Sequence, residues 1–157
     1  MIYDDGHLRG ILRELDDPGA IEFPRDYASR VAPCRFEPLI RLLEDRFRCV
    51  CEVDRGVQDA SFLGSVAVPS TAAKSRQRVI VRLSNFGPLT TAGAGGLARD
   101  SVQAVERLHE EDRDRIAAAS AELGCTYVPG RLLRERYDGG NLEDWQTMWW
   151  HRYFDYM

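Results

Sequence analysis

The chain has 157 residues, of which 44% are hydrophobic and 29% charged, and its formal net charge is −4. This length fits one domain with its own core, and the composition excludes a disordered chain. No apolar run approaches the roughly 20 residues that cross a bilayer, and the N-terminus lacks a signal-peptide pattern. We therefore expect a cytoplasmic protein with no membrane partner. The acidic balance and the lack of an extended basic stripe also argue against nucleic acid as a partner.

Two helices are predicted before residue 47. Four leucine and isoleucine residues at helical spacing predict a short amphipathic helix from His7 to Leu15, which the following Asp-Asp-Pro-Gly sequence ends. A second apolar stripe predicts a helix from about Phe36 to Arg46. Pro38 would lie in the first turn of that helix, where proline is tolerated.

The segment from Phe47 to Ala92 alternates apolar and polar residues, as half-buried strands do. Strands are predicted at Phe47–Val53, Ala60–Val68 and Arg78–Ser84, and Leu89–Ala92 is predicted as a short fourth strand. In the third strand the two valines and the leucine fall on one face, and the arginines fall on the other. The pattern predicts an antiparallel meander with one covered face. The polar connection between the second and third strands is predicted to be mobile.

A long helix from Asp100 to Leu123 is predicted after the sheet, with Gly124 as its left-handed stop. Cys125–Val128 is predicted as a short strand-like piece. A last helix begins near Asn141 and carries much of the aromatic content, so we expect its tryptophans Trp145 and Trp149 to pack in the core.

These elements predict an α+β fold in a single domain that spans residues 1–157. Its antiparallel sheet of three to four strands, at about residues 47–92, would pack against N-terminal and C-terminal helices.

The four cysteines and three histidines lack the spacing of a structural zinc site, so no metal is predicted. Cys49 and Cys51 lie two residues apart and are expected to be small apolar core residues with reduced thiols. Cys125 and His109 are sixteen residues apart around a helix end, and nothing in the sequence orients the imidazole towards the thiol. The sequence therefore predicts no catalytic nucleophile.

The strongest enzyme-like signal is the glycine-rich sequence Thr91–Gly96, between a predicted strand and a predicted helix. Backbone amides in such a turn can hold a phosphate. The sequence is similar to the coenzyme A loop of one acetyltransferase family, although Thr90 stands where that family carries arginine or glutamine. An acyl-coenzyme A-dependent transferase that uses the Gly93–Gly96 loop is therefore an alternative. A flexible connector is the simpler interpretation.

Charge is unevenly distributed along the chain. Residues 61–105 hold one acidic residue against five basic ones, whereas both flanks are acidic. Either opposite charges face each other across the surface, or an acidic flank receives a basic partner. The densest acidic cluster is Glu110, Glu111, Asp112 and Asp114. It lacks the glycine turn of a calcium loop and is too charged to be buried, so we expect a solvated helix face or a surface that contacts a partner.

Two groups of short sequences carry a resemblance to a known class of proteins. The first group is Asp59–Gly64 and Val79–Leu89. The second group is Tyr127–Pro129, Tyr137–Gly139, Trp149 and Arg152–Tyr156. Together they resemble small bacterial immunity proteins that neutralise polymorphic toxins, such as those of contact-dependent growth inhibition systems. The resemblance covers roughly residues 47–157.

The resemblance implies a cytoplasmic, non-enzymatic inhibitor that needs no cofactor and binds the toxic C-terminal domain of a cognate effector. Many such toxins are nucleases with basic clefts, so an acidic flank would serve as a phosphate mimic. The candidate toxin-binding residues are Glu110, Glu111, Asp112 and Asp114, followed by Asp138 and Asp155. A small adaptor domain with another partner is the second alternative.

Overall fold

The computed structural model describes residues 4–15, 31–54, 62–84, 88–95, 108–136, 148–149 and 154. Within these ranges the chain forms the following helices and strands, given in chain order. They are α1 (Asp5–Leu15), α2 (Val31–Phe47), β1 (Glu52–Asp54), β2 (Phe62–Val68), β3 (Val79–Ser84), β4 (Leu89–Ala94), α3 (Glu110–Glu122), β5 (Thr126–Tyr127) and α4 (Gly130–Leu133). The predicted α+β class is confirmed.

Among the described residues, the sheet has five strands in the spatial order β1-β2-β3-β4-β5, one more than the largest number predicted. The first four strands form the predicted antiparallel meander. The fifth strand pairs with β4 in parallel, with Leu89 opposite Thr126. A parallel partner needs a crossover, and the chain between β4 and β5 contains α3. The sheet is therefore mostly, but not entirely, antiparallel.

The predicted first strand is wrong at its N-terminal end. Phe47 is the last residue of α2, and β1 covers only Glu52–Asp54. Arg48 adopts a left-handed backbone conformation with φ of 53°, and the Cys49 amide donates to the Glu44 carbonyl at 3.1 Å. Such a conformation ends a helix and turns the chain away from its axis. The apolar stripe of α2 therefore continues to Phe47, and the strand starts later.

Helix α2 also begins earlier than predicted, at Val31 rather than Phe36. Pro38 consequently lies inside the helix and not in its first turn, which corrects the prediction. A proline at this position removes one backbone donor to the carbonyl four residues before it.

A large apolar cluster fills the space between one face of the sheet and helices α2 and α3. Leu39 and Leu43 of α2 and Ile116 of α3 are fully buried in it. Val79, Val81 and Leu83 of β3 are buried together, as the two-residue alternation predicts.

A second, smaller cluster lies on the other face of the sheet, where Leu89 of β4 is buried. Leu8 and Leu12 of α1 pack there with Trp149 and Phe154. Strand β4 is therefore buried along its whole length, and the expectation of a single covered face is wrong at this strand. The predicted burial of Trp149 is confirmed, whereas Trp145 lies outside the described residues.

Helix α3 begins at Glu110, with His109 as its N-cap residue, although a helix was predicted from Asp100. Leu108 and His109 are not helical, and residues 96–107 lie outside the described part of the chain. The predicted end is confirmed, because Gly124 has a φ of 72° and donates to the Ala121 carbonyl at 3.1 Å. This left-handed glycine directs the chain into β5.

Candidate binding surface

The start of α3 carries most of the predicted site residues. The His109 imidazole caps it, because Nδ1 accepts a hydrogen bond from the Glu111 amide at 3.1 Å. Three acidic residues follow in the first turn, Glu110, Glu111 and Asp112. Negative charge is favourable there because the unpaired amides give a helix N-terminus a partial positive charge.

Asp112 is completely buried, which corrects the expectation that the whole acidic cluster is solvated. Its carboxylate accepts hydrogen bonds from the Lys74 amide at 2.9 Å and from the Ser75 amide at 2.7 Å. The Ser75 hydroxyl donates a third bond at 2.6 Å. These donors occupy both carboxylate oxygens. The buried Asp112 side chain is therefore not available to contact a partner.

Ser75 completes the link between α3 and the β2–β3 connection. Its hydroxyl oxygen also accepts a hydrogen bond from the His109 amide at 2.8 Å. Within the connection, Ala73 is buried, and the Arg76 amide donates to the Ala73 carbonyl at 3.2 Å. The connection that was predicted to be mobile is thus fixed to the first turn of α3.

The remaining acidic side chains of this turn are exposed, and we call Glu110, Glu111 and Asp114 the α3 acidic patch. The side chain of Glu110 is 78% exposed and that of Asp114 is 54% exposed. Arg113 lies between them, 3.7 Å from the Glu110 carboxylate and 3.4 Å from that of Asp114. The patch is therefore acidic overall, with one arginine inside it.

The other two predicted site residues, Asp138 and Asp155, lie outside the described residues. The structure thus brings together the four candidates on α3, places three of them at the surface and buries the fourth.

A second candidate surface lies on the face of β1–β3 opposite the large cluster. It is a shallow groove of about 330 Å³, which we call the sheet groove. Its lining residues are Glu52, Val53, Ser65, Ala67, Arg78, Ile80 and Arg82. The Arg78 guanidinium contacts the Glu52 carboxylate at 2.6 Å. The alternation in β3 predicted that the arginines lie on this face, but no sequence pattern indicated that a groove would form there.

The glycine-rich segment does not have the form that a phosphate-binding loop requires. Gly93 and Ala94 belong to β4, where they pair with Ile80 and Val79. The Gly95 amide donates to the Arg78 carbonyl at 2.7 Å. The expectation of a flexible loop at Gly93–Gly96 is therefore wrong for the described residues 93–95, whose backbone continues the sheet.

The threonines before these glycines also have internal roles. The side-chain oxygens of Thr90 and Ser120 lie 2.6 Å apart, and the Thr91 hydroxyl donates to the Val128 carbonyl at 2.9 Å. Both threonines are fully buried. They tie β4 to α3 on one face and to the residue after β5 on the other, and neither is exposed to a ligand.

The histidine and cysteine near α3 lie at opposite ends of this helix of 13 residues. At 1.5 Å per residue the helix separates His109 from Cys125 by roughly 20 Å. They therefore cannot act together as a nucleophile and a base. Across the described ranges, no three His, Cys, Asp or Glu side chains are grouped so that they could hold a metal ion.

Comparison with known proteins adds no assignment: no family model, no curated protein and no solved structure matches the chain. Within the part of the chain that the structure describes, none of the helices combines the length and the apolar character needed to cross a membrane.

Proposed function

We propose that this chain is a bacterial immunity protein, which binds the toxic C-terminal domain of a cognate effector and neutralises it without chemistry of its own. The resemblance over residues 47–157 is one support. The structural observation that carries the proposal is the α3 acidic patch, whose exposed carboxylates stand on a helix start that Asp112 anchors to the sheet.

The anchoring supports binding because it fixes the positions of the charges before the partner arrives. The carboxylate of Asp112 joins the first turn of α3 to Lys74 and Ser75 in the middle of the β2–β3 connection. A charged surface that is ordered in advance loses less conformational entropy on association. Complementary charge mainly raises the rate of encounter and selects the correct partner.

The partner that suits this surface is a protein with a basic cleft. A nuclease has such a cleft because it binds phosphates, and three carboxylates on one helix turn would occupy the positions of those phosphates. The proposal places the complex in the cytoplasm, where a nuclease toxin would meet its substrate.

Growth rescue tests the function directly. The proposal requires a secreted effector encoded next to this chain's gene; its toxic C-terminal domain is expressed from an inducible promoter together with this chain, and growth is recorded. We expect the wild-type chain to restore growth. Failure of the wild-type chain to restore growth would refute the immunity function.

The same assay tests the patch with charge-reversal variants. The double substitution Glu110→Lys and Glu111→Lys reverses two charges of the patch and should abolish rescue. The control Glu14→Lys reverses an exposed charge on α1, which packs on the other face of the sheet. Circular dichroism confirms that each variant is folded. Full growth rescue by the double variant would show that the α3 acidic patch is not the toxin-binding surface. It would not contradict the immunity function.

A further inference from the structure

Two thiols lie next to each other in the short connection between α2 and β1. The Sγ atoms of Cys49 and Cys51 are 3.9 Å apart, and both cysteines are free. The residue between them, Val50, is 82% exposed. Cys51 belongs to the large cluster and Cys49 packs against it, so both cysteines lie on the inner side while Val50 is exposed.

Glu44 of α2 holds both cysteines in this arrangement by accepting hydrogen bonds from their backbone amides. The Glu44 carbonyl accepts a hydrogen bond from the Cys49 amide at 3.1 Å. The Glu44 carboxylate accepts a hydrogen bond from the Cys51 amide at 3.0 Å. Both cysteines are thus attached to the last turns of the helix, and their separation does not depend on a mobile loop.

The two thiols differ in their access to solvent. Cys49 is partly exposed, whereas Cys51 is buried against the large apolar cluster. A reagent from solution therefore reaches Cys49 first, and the sulfur of Cys51 lies directly behind it. One accessible thiol followed by a buried second thiol is the arrangement of an attacking and a resolving cysteine.

We propose that Cys49 and Cys51 form a redox-active dithiol that closes to an intramolecular disulfide by exchange with a low-molecular-weight disulfide such as oxidised glutathione. This is a modification site, and it is independent of the proposed immunity function.

The exchange proceeds in two balanced steps. In the first, the Cys49 thiolate attacks one sulfur of oxidised glutathione, whose S–S bond breaks. A mixed disulfide forms at Cys49, and the released glutathione thiolate takes up the proton that Cys49 gave up. In the second, Cys51 gives up its proton to solvent and its thiolate attacks the Cys49 sulfur. The mixed disulfide breaks, and a second glutathione leaves as a thiolate and takes up a proton. Two electrons and two protons pass from the protein to glutathione.

The surroundings of Cys51 explain why Cys49 reacts first. Burial, reinforced by the neighbouring Cys49 and the Glu44 carboxylate, raises the pKa of the Cys51 thiol to about 12. Cys51 is therefore protonated in the resting protein and does not attack a free disulfide. Once Cys49 carries glutathione, the sulfur that Cys51 must reach is the one beside it. The two sulfurs must then close from 3.9 Å to about 2 Å.

Intact-mass and peptide mass spectrometry test the proposal on the full chain. The reduced protein is incubated without oxygen in mixtures of reduced and oxidised glutathione, quenched with acid and alkylated. We expect wild-type protein to lose two alkylatable thiols, with a Cys49–Cys51 disulfide in the peptide map and no lasting glutathione adduct. Two thiols that remain alkylatable in oxidised glutathione alone would overturn the proposal.

Serine variants separate the two roles. Cys51→Ser should accumulate a stable glutathione adduct on Cys49, because no thiol remains to displace it. Cys49→Ser should leave Cys51 unmodified because Cys51 is buried. Cys125→Ser is the control, since this buried cysteine lies after α3 and should not affect the exchange. A stable adduct on Cys49 in the wild-type protein, measured without any substitution, would also refute closure.

Discussion

The two faces of the sheet are covered in different ways. Towards α2 and α3, the sheet packs on the large cluster, and the Asp112 carboxylate that binds Ser75 is buried. The ion pair between Arg46 of α2 and Glu122 of α3 on that side is partly exposed. Towards α1 and α4, the smaller cluster covers the β4 end. The ion pairs there are partly exposed, with the Arg9 guanidinium 2.6 Å from the Glu135 carboxylate. Among the described residues, β1–β3 form the sheet groove on that face.

This difference predicts how much each side of the sheet contributes to the stability of the fold. Buried apolar area and satisfied buried hydrogen bonds contribute more than exposed ion pairs, which are screened by water and salt. The side of α2 and α3 should therefore carry most of the stability, and it also bears the α3 acidic patch. The four tests below examine the comparison, in order of decreasing expected effect on stability.

Truncation of a leucine in each cluster should have the largest effect. Leu43→Ala on α2 leaves a cavity among α2, α3 and the sheet, and should cost about 3–5 kcal/mol of unfolding free energy. Leu12→Ala on α1 should cost about 2–3 kcal/mol, because a single short helix can shift to fill part of the cavity. Both side chains are fully buried, so the pair is matched. Urea unfolding measures both values, and equal losses would contradict the comparison.

Removal of the buried carboxylate should have the next largest effect. Asp112→Ala leaves the amides of Lys74 and Ser75 without their acceptors and should cost about 2–3 kcal/mol. The matched substitution Asp114→Ala, at an exposed position of the same helix, should change stability by less than about 0.5 kcal/mol. Thermal and urea unfolding distinguish the two. A loss at Asp114 as large as that at Asp112 would show that the buried carboxylate is not the anchor.

Acid should weaken the side of α1 and α4 through Glu135. The hydrogen bond from the Arg9 guanidinium lowers the pKa of Glu135 below its usual value of 4.5. The contribution of this carboxylate is therefore present above pH 4.5 and is lost as the pH falls through the lowered pKa. Glu135→Gln should be less stable than the wild type at pH 7, and the difference should disappear at strongly acidic pH. A difference that persists in acid would mean that another interaction of Glu135 is responsible.

The pair in the sheet groove should have the smallest effect. The side chains of Arg78 and Glu52 are 56% and 75% exposed, although their charged atoms are 2.6 Å apart. Exposed pairs contribute roughly 0–1 kcal/mol, so Arg78→Ala should leave the unfolding free energy nearly unchanged. A double-mutant cycle with Glu52→Ala measures the coupling directly. Strong coupling would show that the groove is a structural element and not an open surface.

Local patterns in the sequence were sufficient to predict the elements whose apolar residues recur at a regular spacing. Val79, Val81 and Leu83 were predicted to share a buried face, and they do. Gly124 was predicted to end α3, because few other residues adopt a left-handed conformation at a helix end. Phe47 was misassigned because it suits a helix stripe and a strand equally well, and the left-handed Arg48 that decides between them has no distinctive side chain.

Features that depend on contacts between distant segments were not predictable in the same way. The acidic residues at the start of α3 look alike in sequence, yet Asp112 is buried and its neighbours are not. Its partners Lys74 and Ser75 are 38 and 37 positions away. The second cluster escaped prediction because α1 and Trp149 meet only in the folded chain. The proximity of the two thiols was visible as spacing, but their common orientation depends on Glu44.

The most direct test of the central claim is the association rate constant between this chain and the cognate toxic domain, measured by stopped flow at several salt concentrations. If the α3 acidic patch guides the encounter, reversal of Glu110 and Glu111 to lysine should lower the rate at low salt by about tenfold or more. The same change should flatten the salt dependence, while Glu14→Lys should leave both unchanged. An association rate that is the same for the wild type and the double variant at every salt concentration would contradict the account.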